Sequence, residues 1–169
     1  WHGLDLILKA ISEYKELNSK ENVKLHLIGK ISKEYFKKIE EINSKSKNKI
    51  IMNYGVLDME NYQKILSFCD VGLGSLAMHR AKVREGSTLK VREMLGMGLP
   101  VYSAHIDTAI PQDFPFYFNG PISVEKILEY AEYVSSFSRD EIRNRSLKYI
   151  DKKIYVKKLS KFLINLSNN

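Results

Sequence analysis

Short apolar runs alternate with helix-period segments along most of this chain, and that alternation restricts the fold more than any single residue does. Leu4–Leu17 repeats apolar residues at Leu4, Ile7, Leu8, Ile11 and Tyr14, the spacing of one helix face. Val23–Ile28 is an apolar or alternating run that stops at Gly29, which predicts a strand entering a turn. Ser32 is placed to cap a second helix with Tyr35, Phe36, Ile39 and Ile42 on its inner face. Lys49–Tyr54 is a second strand ending at Gly55, and Asp58 caps a third helix with Tyr62, Ile65, Leu66 and Cys69 inside. Asp70–Leu76 reads as a buried, central strand of small residues, followed by an irregular loop over Ala77–Ser87. Leu99–Ala104 is the next strand. A loop with Pro111 and Pro115 leads to a short aromatic strand, Phe116–Phe118. Three helices, Ser123–Phe137, Arg139–Tyr149 and Asp151–Leu166, close the chain.

Strands separated by helices pair in parallel, so the expected fold class is α/β: one doubly wound parallel sheet of Rossmann-like topology with a helical C-terminal tail. Ligands of such sheets bind beyond the carboxyl ends of the strands. That singles out Gly29–Lys30, Gly55–Leu57, Ser75–Glu85 and Ser103–Ile106. The helix at Leu4–Leu17 has no strand before it, which predicts a first strand preceding Trp1. Without an initiator Met, residues 1–169 read as an excised or trimmed segment that is one domain, or one half of a two-domain protein.

One of the marked ends runs directly into Arg84–Pro100, REGSTLKVREMLGMGLP. Its acids, Glu85 and Glu93, would sit about 80° and about 12 Å apart on one continuous helix, too far to act on one atom. With Glu85 on a loop and Glu93 inside the helix that follows, the pair can grip two ends of one polar ligand. Lys90 falls in the first turn, where the macrodipole disfavours a cation by about 0.3–1 kcal/mol. Arg80, Lys82, Arg84 and Arg92 crowd the same segment. Cations beside free backbone N–H groups make sense where an anion docks; the alternative is that Lys90 points to solvent.

Other chemistries find little support. The net charge of +7 allows nucleic acid, an anionic membrane surface or phosphorylated small molecules as partners, but no nucleic-acid motif is present. The lysines at Lys45–Lys49 and Lys152–Lys161 are ordinarily solvated faces. No apolar run reaches the roughly 18 residues needed to span a bilayer, and no signal peptide is visible. A single cysteine, Cys69, excludes an internal disulfide and fits a reducing compartment. There is no G-x-G-x-x-G and no P-loop. His2, His26, His79 and His105 have no metal-ligand spacing, and nothing supports a Ser-His-Asp or Cys-His nucleophile. His26 reads as a strand residue, while His79 and His105 follow strands at the ligand rim.

Four landmarks, covering roughly Trp1–Ala104, give the chain a family likeness. WHGLDLILKA is similar to a "KG-x-D-x-L-x-x-A" helix start, and KLHLIGK to a second strand ending in glycine. NYGVLDMENYQKILSFCDVGLGSL is similar to a strand-Gly, helix, "aDv-x-x-x-pS" run. EGSTLKVREMLGMGLPVYSA is similar to an E-x7-E motif followed by "EamA-x-G-x-PVi-x-s". In this order they resemble the C-terminal, donor-binding domain of a GT-B-fold glycosyltransferase of the retaining type called group 1 or family four.

The resemblance implies a nucleoside-diphosphate sugar (a UDP- or GDP-sugar) as donor, transfer to an acceptor hydroxyl in cell-surface or capsular polysaccharide synthesis, and no metal or other cofactor. It implies that Glu93 accepts from the ribose hydroxyls and that Glu85, the candidate for the catalytic cleft, lies toward the donor sugar. Gly86, Ser87, Thr88 and Leu89 would approach the diphosphate with Lys90 neutralising charge, and Gly55, Val56 and Leu57 would meet the base. The acceptor would be recognised by the enzyme's own N-terminal domain, in the cytoplasm or at the inner membrane face, with peripheral membrane contact and no nucleic acid. Two departures stand out: His2 replaces the family's lysine before glycine, and Gly86-Ser87 replaces the usual Phe-Gly. The residues alone also admit a nucleotide-sugar epimerase on the same fold, or a non-catalytic binding module that docks through its basic tail.

Overall fold

The computed structural model describes residues 2–14 and 23–167. Its elements run α1 (Leu4–Glu13), β1 (Leu25–Leu27), α2 (Lys33–Lys45), β2 (Ile51–Asn53), α3 (Met59–Ser67) and β3 (Gly72–Leu73). A 3-10 turn (Met78–Ala81) interrupts the long loop before α4 (Leu89–Gly96), β4 (Val101–Ser103), β5 (Tyr117–Asn119), α5 (Val124–Val134), α6 (Arg139–Ile150) and α7 (Lys152–Ser167). Residues 15–17 of the first expected helix lie outside the described residues. Two expected caps form: Ser32 accepts from the Tyr35 amide and Asp58 from the Asn61 amide.

All strand pairs are parallel, as the alternation predicts, but the strands form two sheets rather than one. β1 pairs with β2 in one sheet, and β3, β4 and β5 follow in order in the other. The expected strand Asp70–Leu76 shrinks to Gly72–Leu73 and pairs only with β4, so it is an edge and not a centre. Its glycines carry no side chains to add packing, and only Gly72 and Gly74 donate across the ladder, to the carbonyls of Pro100 and Tyr102. Phe36, expected inside, is half exposed, while Ile39 and Ile42 of the same helix are buried.

Two apolar clusters hold these pieces. One gathers Val91, Leu95, Leu99, Tyr102 and Phe116 around β4. The other centres on α1, whose buried Ile7, Leu8 and Ile11 pack with Ile39 and Ile51, and with Leu25 and Leu27 of the first sheet and Leu73 of the second. Burying each such side chain contributes about 1.5–3 kcal/mol. α6 lies along α4, and its Arg139 donates to the carbonyls of Leu66 and Cys69 at the end of α3. α7 differs from the rest: from Tyr155 to Leu166 every residue is exposed.

α4 stops at Gly98, where φ is +72° and the Leu99 amide returns to the Met94 carbonyl at 2.9 Å. A Cβ at Gly98 would lie 2.2 Å from the Arg139 carbonyl oxygen. Gly98→Ala is therefore expected to cost more than about 1 kcal/mol, through a strained φ and a backbone collision together. Urea unfolding would read this as a lower midpoint; an unchanged midpoint would mean that the α4–α6 contact yields freely.

Candidate functional site

The turn carrying Glu85 hangs from the chain that leaves β4. Ile106 donates to the Arg84 carbonyl at 3.2 Å, Gly86 donates to the Ile106 carbonyl at 2.9 Å, and Glu85 forms a parallel bridge with Ile106. Ser103 and His105, two residues apart, share one face of that chain. His105 is 3% exposed, so it is not at the ligand rim. Its Nδ1 lies 2.7 Å from Ser103 Oγ and its Nε2 lies 3.1 Å from the Gly86 carbonyl. The Tyr117 hydroxyl donates to the His105 carbonyl at 2.7 Å. His79, by contrast, is exposed on the 3-10 turn.

The turn delivers the chain into α4 with its N-terminus uncapped. Thr88 is the N-cap residue but its side chain makes no capping bond, and its Oγ1 is buried with no hydrogen-bond partner among the described residues. The backbone N–H groups of Ser87 to Val91 likewise find no acceptor among the described residues. Lys90 does not point to solvent. It is half-buried, its ammonium donates to the Gly74 carbonyl at 3.1 Å, and burial pulls its pKa below the usual lysine value.

Neighbouring cations are accounted for differently. Arg92 forms a two-point pair with Asp107, one contact being Nη2 to Oδ1 at 2.8 Å, and Asp107 also accepts from the Ala109 amide. Burial works against the Arg92 charge, but the hydrogen bond and charge of Asp107 outweigh it and hold the guanidinium above its usual value. Arg80 pairs with Asp5 of α1 at 2.9 and 2.6 Å, and that hydrogen bond lowers the Asp5 carboxyl. The described residues give Lys90 no acid partner.

His2 belongs to the same corner. Its carbonyl accepts from the Leu76 amide at 3.2 Å, and its imidazole is pulled below the ordinary value by burial first and by the Lys90 charge second. Gly3 makes this approach possible: φ is +76°, and a Cβ there would lie 2.7 Å from the Leu76 Cβ. The structure therefore brings His2, Lys90 and the Glu85–Leu89 turn to one end of the second sheet.

Glu93 is exposed, one turn into α4. Beside it lies Tyr62 of α3, whose phenol is pushed upward by burial and then by the Glu93 carboxylate. The turn Gly55-Val56-Leu57 lies after β2, on the other sheet, with Gly55 at φ +64° and its carbonyl 2.6 Å from the Gly29 amide. No hydrogen bond joins that turn to α4 among the described residues. Sequence reasoning passed over Tyr62, which its helical spacing assigns to the core, and Asp107, which has no periodic relation to Arg92. The polar pair Ser103 and His105 at a strand end was the readable signal for a built turn.

A cavity of about 690 Å³ opens between the loop after β4 and α5, lined by Ile110, Phe114, Tyr117, Phe118, Tyr130 and Tyr133 among others. It is mostly apolar, and Ile106 is the one predicted strand-end residue in its lining. Among the described residues no group of three His, Cys, Asp or Glu could hold a metal, and no helix is long and apolar enough to cross a membrane. Neither a scan of protein-family models nor a search of curated proteins finds a match to this chain.

Two measurements follow from this geometry. Proton NMR should place the His2 midpoint below the ordinary imidazole value, and Lys90→Met should raise it by removing a neighbouring positive charge; an unmoved midpoint would separate the two side chains. Asp107→Ala should destabilise the chain by about 3–5 kcal/mol, because Arg92 would be left buried and unpaired. A change under about 1 kcal/mol in chemical unfolding would contradict that.

Proposed function

We propose that this chain is the donor-binding half of a glycosyltransferase, holding a nucleoside-diphosphate sugar for transfer to an acceptor hydroxyl in polysaccharide synthesis. One observation carries the reading: among the described residues, the N-terminus of α4 presents unsatisfied N–H groups beside a half-buried lysine without an acid partner and a buried hydroxyl with no partner. An anion such as a diphosphate supplies what all three lack. The ribose diol then hydrogen-bonds to Glu93, Glu85 lies toward the donor sugar, and the base reaches the Gly55–Leu57 turn.

In the reaction the bond between the sugar carbon and the diphosphate oxygen breaks, and its electron pair leaves with the diphosphate. The sugar carbon bonds to the acceptor oxygen, whose proton passes to the departing diphosphate. The α4 amides, Lys90 and His2 stabilise the charge that grows on the leaving oxygen. Acceptor binding falls to an N-terminal domain, and the exposed apolar row of α7 is available to it.

The fold expected for such a half is one sheet, and two features support treating the observed pair as a sheet interrupted by one strand. The α1 cluster joins apolar residues of both sheets, and the His2 carbonyl already accepts from Leu76 beside β3. A strand leading into His2 would run between β1 and β3, parallel to both, and would complete a doubly wound order. The facing amides of Leu73 and His26 should then exchange hydrogen quickly in residues 1–169, while Gly72 and Gly74 exchange slowly. Equal protection of both sets would rule out an open slot.

The binding reading is tested by titrating the folded chain with UDP, GDP and their sugars. Glu93→Ala should weaken binding about tenfold or more, as loss of a hydrogen bond to a charged group does. Glu41→Ala, on the exposed face of α2, should stay within about twofold. No amide response to any of these nucleotides, or equal effects of the two substitutions, would sink the proposal.

A further inference from the structure

His105 is the one imidazole buried inside the site's framework, and nothing above gives it a task. A carbonyl oxygen only accepts, so the 3.1 Å contact with the Gly86 carbonyl is a hydrogen bond when the Nε2 of His105 carries the proton. On its other side Nδ1 lies 2.7 Å from the Ser103 hydroxyl and 3.3 Å from the Ser75 carbonyl, and the Tyr117 hydroxyl fixes the backbone of His105. The ring is therefore held on both sides, and the form protonated at Nε2 is the one that bonds Gly86.

The peptide joining Gly86 and Ser87 is planar and trans, so its N–H points opposite to its C=O. With the carbonyl drawn inward to His105, the Ser87 N–H is turned away from the buried ring. Ser87 is exposed and that N–H has no acceptor among the described residues, while the unpartnered Thr88 hydroxyl lies one residue on. Without the imidazole donor the Gly86–Ser87 peptide could rotate, since its glycine permits both orientations.

We infer that His105 is a positioning residue: by holding the Gly86 carbonyl it aims the Ser87 N–H at the anion that binds at the α4 N-terminus. The inference rests on the anion-binding reading above. It adds a residue that touches no ligand and that the resemblance does not supply.

Inorganic pyrophosphate is the probe, titrated into the full chain and followed at the backbone amides. In the wild type, Ser87 should shift downfield together with Thr88 and Lys90. His105→Leu should abolish the Ser87 response and weaken pyrophosphate about tenfold. His105→Gln, whose amide keeps a donor within reach of Gly86, should restore affinity to within about threefold. If Thr88 and Lys90 respond while Ser87 does not, or if His105→Leu changes stability but not the Ser87 response, His105 is only a packed core residue and the inference falls. A wild type in which none of Ser87 to Lys90 responds overturns both this inference and the anion reading. Should the leucine variant not fold, the imidazole nitrogen resonances of the wild type decide. Protonation at Nε2 is expected, and an Nδ1–H neutral tautomer would overturn the proposal.

Discussion

Two sheets without a shared hydrogen bond among the described residues need something else to join them, and α1 is that joint. Its apolar face is Ile7, Leu8 and Ile11, and the cluster around it reaches Leu25 and Leu27 on one side and Leu73 on the other. Hydrophobic contact is not directional, so it can cross a gap where a backbone ladder cannot. The start of the helix is fixed separately, by the close approach of Gly3 to Leu76 and by the Asp5–Arg80 pair. The ion pair is largely exposed and contributes little by itself. Its effect is to hold the 3-10 turn against α1, which keeps the loop before α4 in place.

The site corner shows how a basic segment divides its charges. Arg92 and Arg80 are each satisfied by a carboxylate, one buried and one near the surface. Among the described residues Lys90 has only a backbone carbonyl. The first two are structural: removing their charge would leave an acid behind. Lys90 carries positive charge into a half-buried position at the wrong end of a helix, against both burial and the macrodipole. On the proposed reading, a diphosphate bound there offsets both penalties.

Much of this was legible in the residues. Helix periodicity located α1, α2 and α3, and Ser32 and Asp58 cap where their side chains suggest. Parallel pairing followed from the alternation, because helices stand between the strands. Glu85 sits on a turn and Glu93 inside α4, the easier of the geometries that their spacing allows. Less legible was anything set by contacts distant in sequence. Whether Asp70–Leu76 is a centre or an edge depends on what lies on its other side, which local pattern does not encode. His105 looked like a rim residue because it follows a strand. The turn arriving from residue 84, some twenty positions earlier, covers it. Asp107 is invisible for the same reason.

α7 carries a different consequence. Its 16 residues include five lysines and no acid, and beyond Ile154 its described side chains are exposed, with Tyr155, Leu159, Phe162 and Leu166 along one stripe. A helix that buries so little draws its stability from intrinsic propensity, which for this length is marginal in water. Like charges spaced four apart at Lys153, Lys157 and Lys161 weaken it further. On warming it should lose its hydrogen bonds before the sheets lose theirs, sloping the helical baseline ahead of the main transition without a heat-absorption peak of its own. The cooperative unit of this chain should therefore end near Ile150, with the last turns melting as a peptide would.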